Sequence, residues 1–136
     1  MTNKVCSLGL SKKLKSLGFK QDSIFFWDIL SETAYGVRYA PFHCPGLEHY
    51  AAFTASELIE LLPAIISMGD EYVPFDNYWL HIKKRKVDYM QYIISYDCDT
   101  WSEPDFLTRT LCKAHGEKLE DVLAELLIKL KEEKYV

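Results

Sequence analysis

The sequence predicts an α+β fold: an antiparallel sheet built from β-hairpins and covered by amphipathic helices, in the order α-β-β-α-β-β-α-α. Three observations carry this expectation. Strand-like segments come in adjacent pairs rather than alternating with helices. No glycine-rich nucleotide loop joins a strand to a helix. The C-terminal segment has an apolar stripe so wide that a sheet or other helices must cover it. At 136 residues the chain is expected to be a single compact domain, residues 1–136, because two halves would each bury too little core.

The first helix is predicted over residues 7–18. Leu10, Leu14 and Leu17 fall at i, i+4, i+7, Lys12, Lys13 and Lys15 lie off that face, and Ser7 is placed to cap the N-terminus. Gly18 sits where a left-handed residue ends a helix, and Phe19 can close that end with an apolar contact. Residues 23–30, SIFFWDIL, are aromatic and β-branched and read as a strand, with residues 34–42 returning beside it. HCPG turns the chain toward a second helix. There Thr54 and Glu57 form a T-x-x-E capping box, Phe53 can staple onto Leu58, Leu58, Leu61 and Leu62 make the buried stripe, and Pro63 limits the helix.

Residues 66–77 are loop-like. Residues 77–97 read as a second hairpin, in which Tyr78, Leu80 and Ile82 alternate with Trp79 and His81, Met90, Tyr92, Ile94 and Tyr96 form an apolar face, and KKRK at 83–86 makes the turn and its flanks. Ser102 with Asp105, and Pro104 in the first turn, predict a third helix through Phe106, Leu107, Leu111 and Ala114, stopped by Gly116. The last helix is the most regular element: Leu119, Val122, Leu123, Leu126, Leu127 and Leu130 share one stripe.

Hydrophobic residues are 49% of the chain and charged residues 26%, the balance of a folded rather than a disordered protein. The net charge of −4 argues against a dedicated nucleic-acid binder. No apolar run approaches the ~18–20 residues of a membrane span, and the N-terminus lacks the apolar core of a signal peptide. Cys6, Cys44, Cys98 and Cys112 show no C-x-x-C pairing, so free thiols in a cytoplasmic protein without cofactor are expected.

Four constellations could carry chemistry. His43, Cys44 and His49 share one loop, and Cys112 with His115 would share a helix face at i, i+3; together they could hold zinc, although the spacing follows no standard zinc module. Cys44 beside these histidines could serve as a nucleophile, but no nucleophile motif surrounds it. Asp97, Asp99, Glu103 and Asp105 cluster as carboxylates, which a helix start also explains. Lys83, Lys84, Arg85 and Lys86, with Tyr78, Trp79 and Tyr89 nearby, could contact nucleic acid, or could guard a strand edge against aggregation. No P-loop, GxGxxG, HExxH or GxSxG is present.

Three stretches, LSKKLKSLGFKQDSIFFW, AAFTASELIELLP and DVLAELLIKLKEEKYV, together resemble a group of small uncharacterised phage and prophage proteins. The resemblance covers both ends and the middle, and departs at 100–118, where TWSEPDFLTRTLCKAHGEK is longer than the pattern. It implies a phage or mobile-element setting and supplies no activity or site residues. The leading functional expectation is therefore a non-catalytic accessory protein that binds a host or phage protein, interfering with host regulation or defence in one version. Tyr35, Tyr39, Tyr50, Tyr72 and Tyr78 are the expected contact residues, because aromatic side chains supply much of the binding energy at interfaces. A homodimer through the aromatic hairpins is a variant of this reading. The alternatives are a small zinc-binding module or metal-dependent enzyme, and nucleic-acid binding through the basic hairpin.

Overall fold

Among the described residues, apolar alternation and helical stripes give two antiparallel sheets and three α-helices. The computed structural model describes residues 2–42, 46–67, 77–86, 89–102 and 105–136. Strands β1 (Phe25–Ile29), β2 (Tyr35–Tyr39) and β3 (Glu48–Ala51) form a three-stranded sheet in the order β2-β1-β3. Strands β4 (Ile65–Ser67), β5 (Asn77–Lys86), β6 (Met90–Ser102) and β7 (Asp105–Gly116) form a four-stranded sheet in that order. The helices are α1 (Leu8–Ser16), α2 (Ala55–Leu61) and α3 (Leu119–Glu132).

The α+β class holds, but the element order differs from the expected one. The segment expected to be a third helix is β7, paired along its length with β6. Ser102 and Asp105 are accordingly the last facing pair of a hairpin and cap no helix. KKRK lies within β5 rather than in a turn, and short strands β3 and β4 form where connectors were expected. The register of β6 and β7 shifts between Tyr96 and Asp97: Tyr96 faces Cys112 and Asp97 faces Thr110, which leaves Leu111 as the extra residue of a β-bulge.

Helix α3 lies at the centre. It packs against β6, β7, α1 and α2. Its buried residues are Val122, Leu123, Ala124, Leu126, Leu127, Ile128 and Leu130. At 100° per residue these occupy about two thirds of the helix circumference, so neighbours must cover it from more than one side. On β7 the residues facing this helix are small: Cys112 and Ala114 are buried, and a Cβ at Gly116 would come within 3.0 Å of Val122 Cγ2. Small strand side chains thus receive large helical ones, and Tyr96, Ile94, Phe26 and Phe53 complete the same core.

Helix ends are closed by local chemistry. The α2 capping box forms as expected, with Thr54 Oγ1 accepting the Glu57 N–H and Glu57 Oε2 accepting the Thr54 N–H. Phe53 and Leu58 are both buried in the main core, but Leu61 is exposed, so the α2 stripe is Leu58 and Leu62. Ser7 holds the N-cap position of α1 without a side-chain cap; its N–H instead donates to Asp121 Oδ1 of α3 at 2.7 Å. At the other end of α1, Gly18 (φ 86°) donates to Lys15 O and Phe19 to Leu14 O, the Schellman pattern anticipated from the sequence. Helix α3 ends the same way, with Lys134 N–H to Lys131 O and Tyr135 N–H to Leu130 O. There the left-handed position (φ 64°) is held by Lys134, a residue with a Cβ.

The two ends therefore predict opposite mutational signs. Lys134→Gly should stabilise the protein by about 0.5–1 kcal/mol, and Gly18→Ala should destabilise it by a similar amount. Urea unfolding midpoints with unchanged slope would show both.

Candidate functional site

Strand pairing in the three-stranded sheet fixes which side chains share a face. Phe25 faces Tyr39, Trp27 faces Val37 and Tyr50, and Ile29 faces Tyr35 and Glu48. Because side chains alternate, Phe25, Trp27, Ile29, Tyr35, Val37, Tyr39 and Tyr50 all lie on one face. Phe25 and Tyr39 have ring centroids 5.9 Å apart, and Trp27 meets Tyr35 edge-on at 6.0 Å.

That face is only partly covered. Val5, Trp27 and Ala52 form its buried centre, with Leu8 packed beside them. The N-terminal segment is pinned there by hydrogen bonds. Trp27 Nε1–H donates to Cys6 O at 3.1 Å, and the Cys6 N–H donates to Phe53 O at 2.8 Å. Tyr35 and Tyr39, at 51% and 50% exposure, remain open to solvent. Two clefts of about 540 Å³ border the segment, one lined by Lys4, Phe25 and the start of α2, the other by Asn3, Leu8, Trp27, Tyr35 and Lys118. Tyr50 lies under the ammonium groups of Lys12 and Lys15, and its hydroxyl donates to Glu48, which raises the phenol pKa.

The expected contact residues divide. Tyr35, Tyr39 and Tyr50 come together on this face. Tyr78 sits on the core side of β5 with 9% exposure, so its ring packs inward and offers no surface. Tyr72 lies outside the described residues. Trp27, Phe25 and Val37 were not among the expected contacts. Their signal was the alternation of Phe25, Trp27 and Ile29 within SIFFWDIL.

The metal candidates separate. Cys112 and His115 are on a strand, three residues apart, and so project from opposite faces: Cys112 enters the core, whereas His115 is exposed beside Gln91. His49 is on the other sheet, its Nδ1 2.9 Å from Leu47 O and its ring against Phe26. His43 and Cys44 lie outside the described residues, and so does the nucleophile reading of Cys44. Among the described residues no group of three or more His, Cys, Asp or Glu is placed to hold a metal ion. Burial raises the pKa of the Cys6 and Cys112 thiols, which disfavours the thiolate that nucleophilic or metal chemistry requires.

Of the acidic cluster, Asp97 lies on β6 and is buried, accepting from Ser95 Oγ and Thr110 Oγ1 at 2.8 Å each. These bonds make it part of the sheet's structure. Asp99 follows on β6, Asp105 opens β7, and Glu103 lies outside the described residues. The KKRK run is split by the strand period. Lys83 and Arg85 fall on the outer face with Trp79 and His81, whereas Lys84, over the Tyr92 ring, and Lys86 project from the other face.

Tyr96, with its ring fully buried, has its phenol pKa raised first by burial and then by Cys112, and its hydroxyl donates to Pro63 O at 2.5 Å. A raised folded-state value favours the protonated form on folding. This stabilisation is complete below the ordinary phenol value of 10.0 and is lost as pH rises beyond it. Tyr96→Phe should cost about 1 kcal/mol at neutral pH, and the gap to wild type should narrow above that value. Chemical unfolding across an alkaline series would measure it. Among the described residues no helix is long and apolar enough to cross a membrane. Comparison of the chain with protein-family models, with curated proteins and with solved structures finds no match.

Proposed function

We propose that this chain is a non-catalytic accessory protein of phage or prophage type, acting in the cytoplasm by binding a host or phage protein through the aromatic face of its three-stranded sheet. One observation carries the binding role. Trp27 is held rigidly at the centre of the face while Tyr35 and Tyr39 flank it half-exposed. Rigid aromatic rings lose little entropy on docking and bury large apolar areas, the pattern of interface hot spots. The phage setting is supported by the sequence resemblance alone, and interference with host regulation or defence is the version that setting favours.

The test is affinity capture from a host lysate with wild type and with Tyr35→Ala/Tyr39→Ala. Wild type should retain a partner that the double variant binds at least about tenfold more weakly. Melting temperature should change little, because both side chains are half-exposed. Equal capture by both proteins would remove this surface from the function.

A second reading has its own observation. The outer face of the four-stranded sheet carries Lys83, Arg85 and Lys113 on the same face as Trp79, which is 52% exposed and stands beside Asp97 toward one end of that face. Cations beside an exposed aromatic suit single-stranded nucleic acid. This reading predicts oligonucleotide binding that weakens with salt by about 0.7 log units in affinity per phosphate contact for each log unit of salt. Anisotropy that stays flat at roughly 50 mM salt would dispose of it.

A further inference from the structure

Among the described residues, β2 is an outer strand of its sheet, paired only with β1. The Ala34 carbonyl accepts from Leu30 and the Ala40 N–H donates to Ile24, so these residues turn their backbone toward β1. By the alternation of an antiparallel ladder, Gly36 and Arg38 do the same, and Tyr35 and Val37 direct N–H and C=O to the opposite side.

The strand reads Tyr-Gly-Val-Arg-Tyr, nearly the same in both directions. We propose that β2 pairs antiparallel with β2 of a second copy about a two-fold axis at Val37, joining two three-stranded sheets into one of six strands. In this register Val37 faces its own copy, and Tyr35 faces the partner's Tyr39. A shift of one residue would set mismatched backbone groups against each other, and a shift of two would leave two residues of each strand overhanging.

Side chains agree with the backbone on both faces. On the aromatic face, the row Phe25–Tyr39 continues into Tyr35 and Ile29 of the second copy, and the row Trp27–Val37 continues into its own image. On the other face, Arg38 of one copy lies over Gly36 of the other, where even a Cβ would meet no atom within 4 Å. Asp28 follows Gly36 in that row, so each guanidinium approaches a carboxylate rather than a second cation.

The β4–β5 edge of the four-stranded sheet behaves differently. Among the described residues, β4 pairs with β5 at Asn77, Tyr78 and Trp79, Leu80 donates to Ala64 O, and the remainder runs into Lys83, Lys84, Arg85 and Lys86, whose like charges resist pairing with a second copy. β2 has no lysine, proline or bulge. Of these two edges, β2 is the one that admits a second copy. A five-residue pairing falls in the weak class of interfaces, below about 1,200 Å².

This inference goes beyond the protein-binding reading, and its test contains no other macromolecule, so either can fail alone. Sedimentation of the purified full chain up to roughly 0.2 mM, a range suited to weak interfaces, should show a reversible dimer. Val37→Pro removes an N–H directed away from β1 and should give a monomer with unchanged circular dichroism. Should that variant unfold, Val37→Lys, which sets two ammonium groups face to face, decides instead. Register is read by cross-linking: under mild oxidation Val37→Cys should form a disulfide-linked dimer, and Arg38→Cys and wild type should not. A wild-type monomer throughout, a dimer that survives in the folded Val37 variants, or equal cross-linking at Arg38 would overturn the proposal.

Discussion

The rest of the fold depends on the burial of α3. With about two thirds of its circumference apolar, this helix cannot lie on a single sheet with water on its other side. The four-stranded sheet covers it through β6 and β7, and α1 and α2 cover it elsewhere. Each neighbour is matched to it locally. The small residues Cys112, Ala114 and Gly116 let the strand come close, Lys13 of α1 meets Glu132 at 2.8 Å, and Asp121 accepts the Ser7 N–H. The Asp121 contact joins the N-terminal ends of α1 and α3, and the Lys13 contact joins their C-terminal ends, so the two helices run parallel. The exposed ion pair contributes little energy of its own and mainly records this arrangement.

The three-stranded sheet is attached by different means. Phe26 and Ala51 reach the main core, but much of its position is set by hydrogen bonds at identifiable points. Glu57 is the busiest of these. Besides closing the α2 capping box, its carboxylate accepts the Ile24 N–H at 2.9 Å and the Ser23 hydroxyl at 3.1 Å, which locks the start of β1 to the start of α2. Cys6 links Trp27 to Phe53 through its backbone. Directional bonds hold the sheet while covering little of its outer face. The aromatic surface is thus what remains once one face is packed and, among the described residues, the N-terminal segment crosses the other.

The legibility of these features follows from how local their causes are. The capping box, the Gly18 terminus, α3 and the hairpin beginning at Phe25 each depend on residues a few positions apart, and each formed. β7 depends on β6. Its Thr108 and Thr110, with Cys112 and Ala114 alternating against Lys113 and His115, are a strand signal, but the bulge at Leu111 breaks the period and gives Phe106, Leu107, Leu111 and Ala114 the spacing of a helix. The expected Cys112–His115 pair dissolved with that helix. The contact surface was legible only in part for the same reason. Tyr35 and Tyr39 were readable as aromatic, but which face they share with Trp27 follows from the pairing of three strands, and Tyr78 is turned inward by the four-stranded sheet.

The distribution of polar groups then separates two outward surfaces of one molecule. The outer face of the four-stranded sheet carries Lys83, Arg85, Lys113 and His115, and its buried Asp97 is tied down by two hydroxyl groups rather than left to attract a ligand. A cationic surface stays hydrated and repels its own copy. The three-stranded sheet presents the phenol rings of Tyr35 and Tyr39 around the buried Trp27, and the described charges near them are engaged: Arg38 lies 3.6 Å from Asp28, and Lys12 and Lys15 lie over Tyr50. A chain with net charge −4 thus places cations where association is disfavoured and aromatic area where it is favoured. This placement, more than any single residue, is the physical reason to seek the protein's function on the Trp27 face.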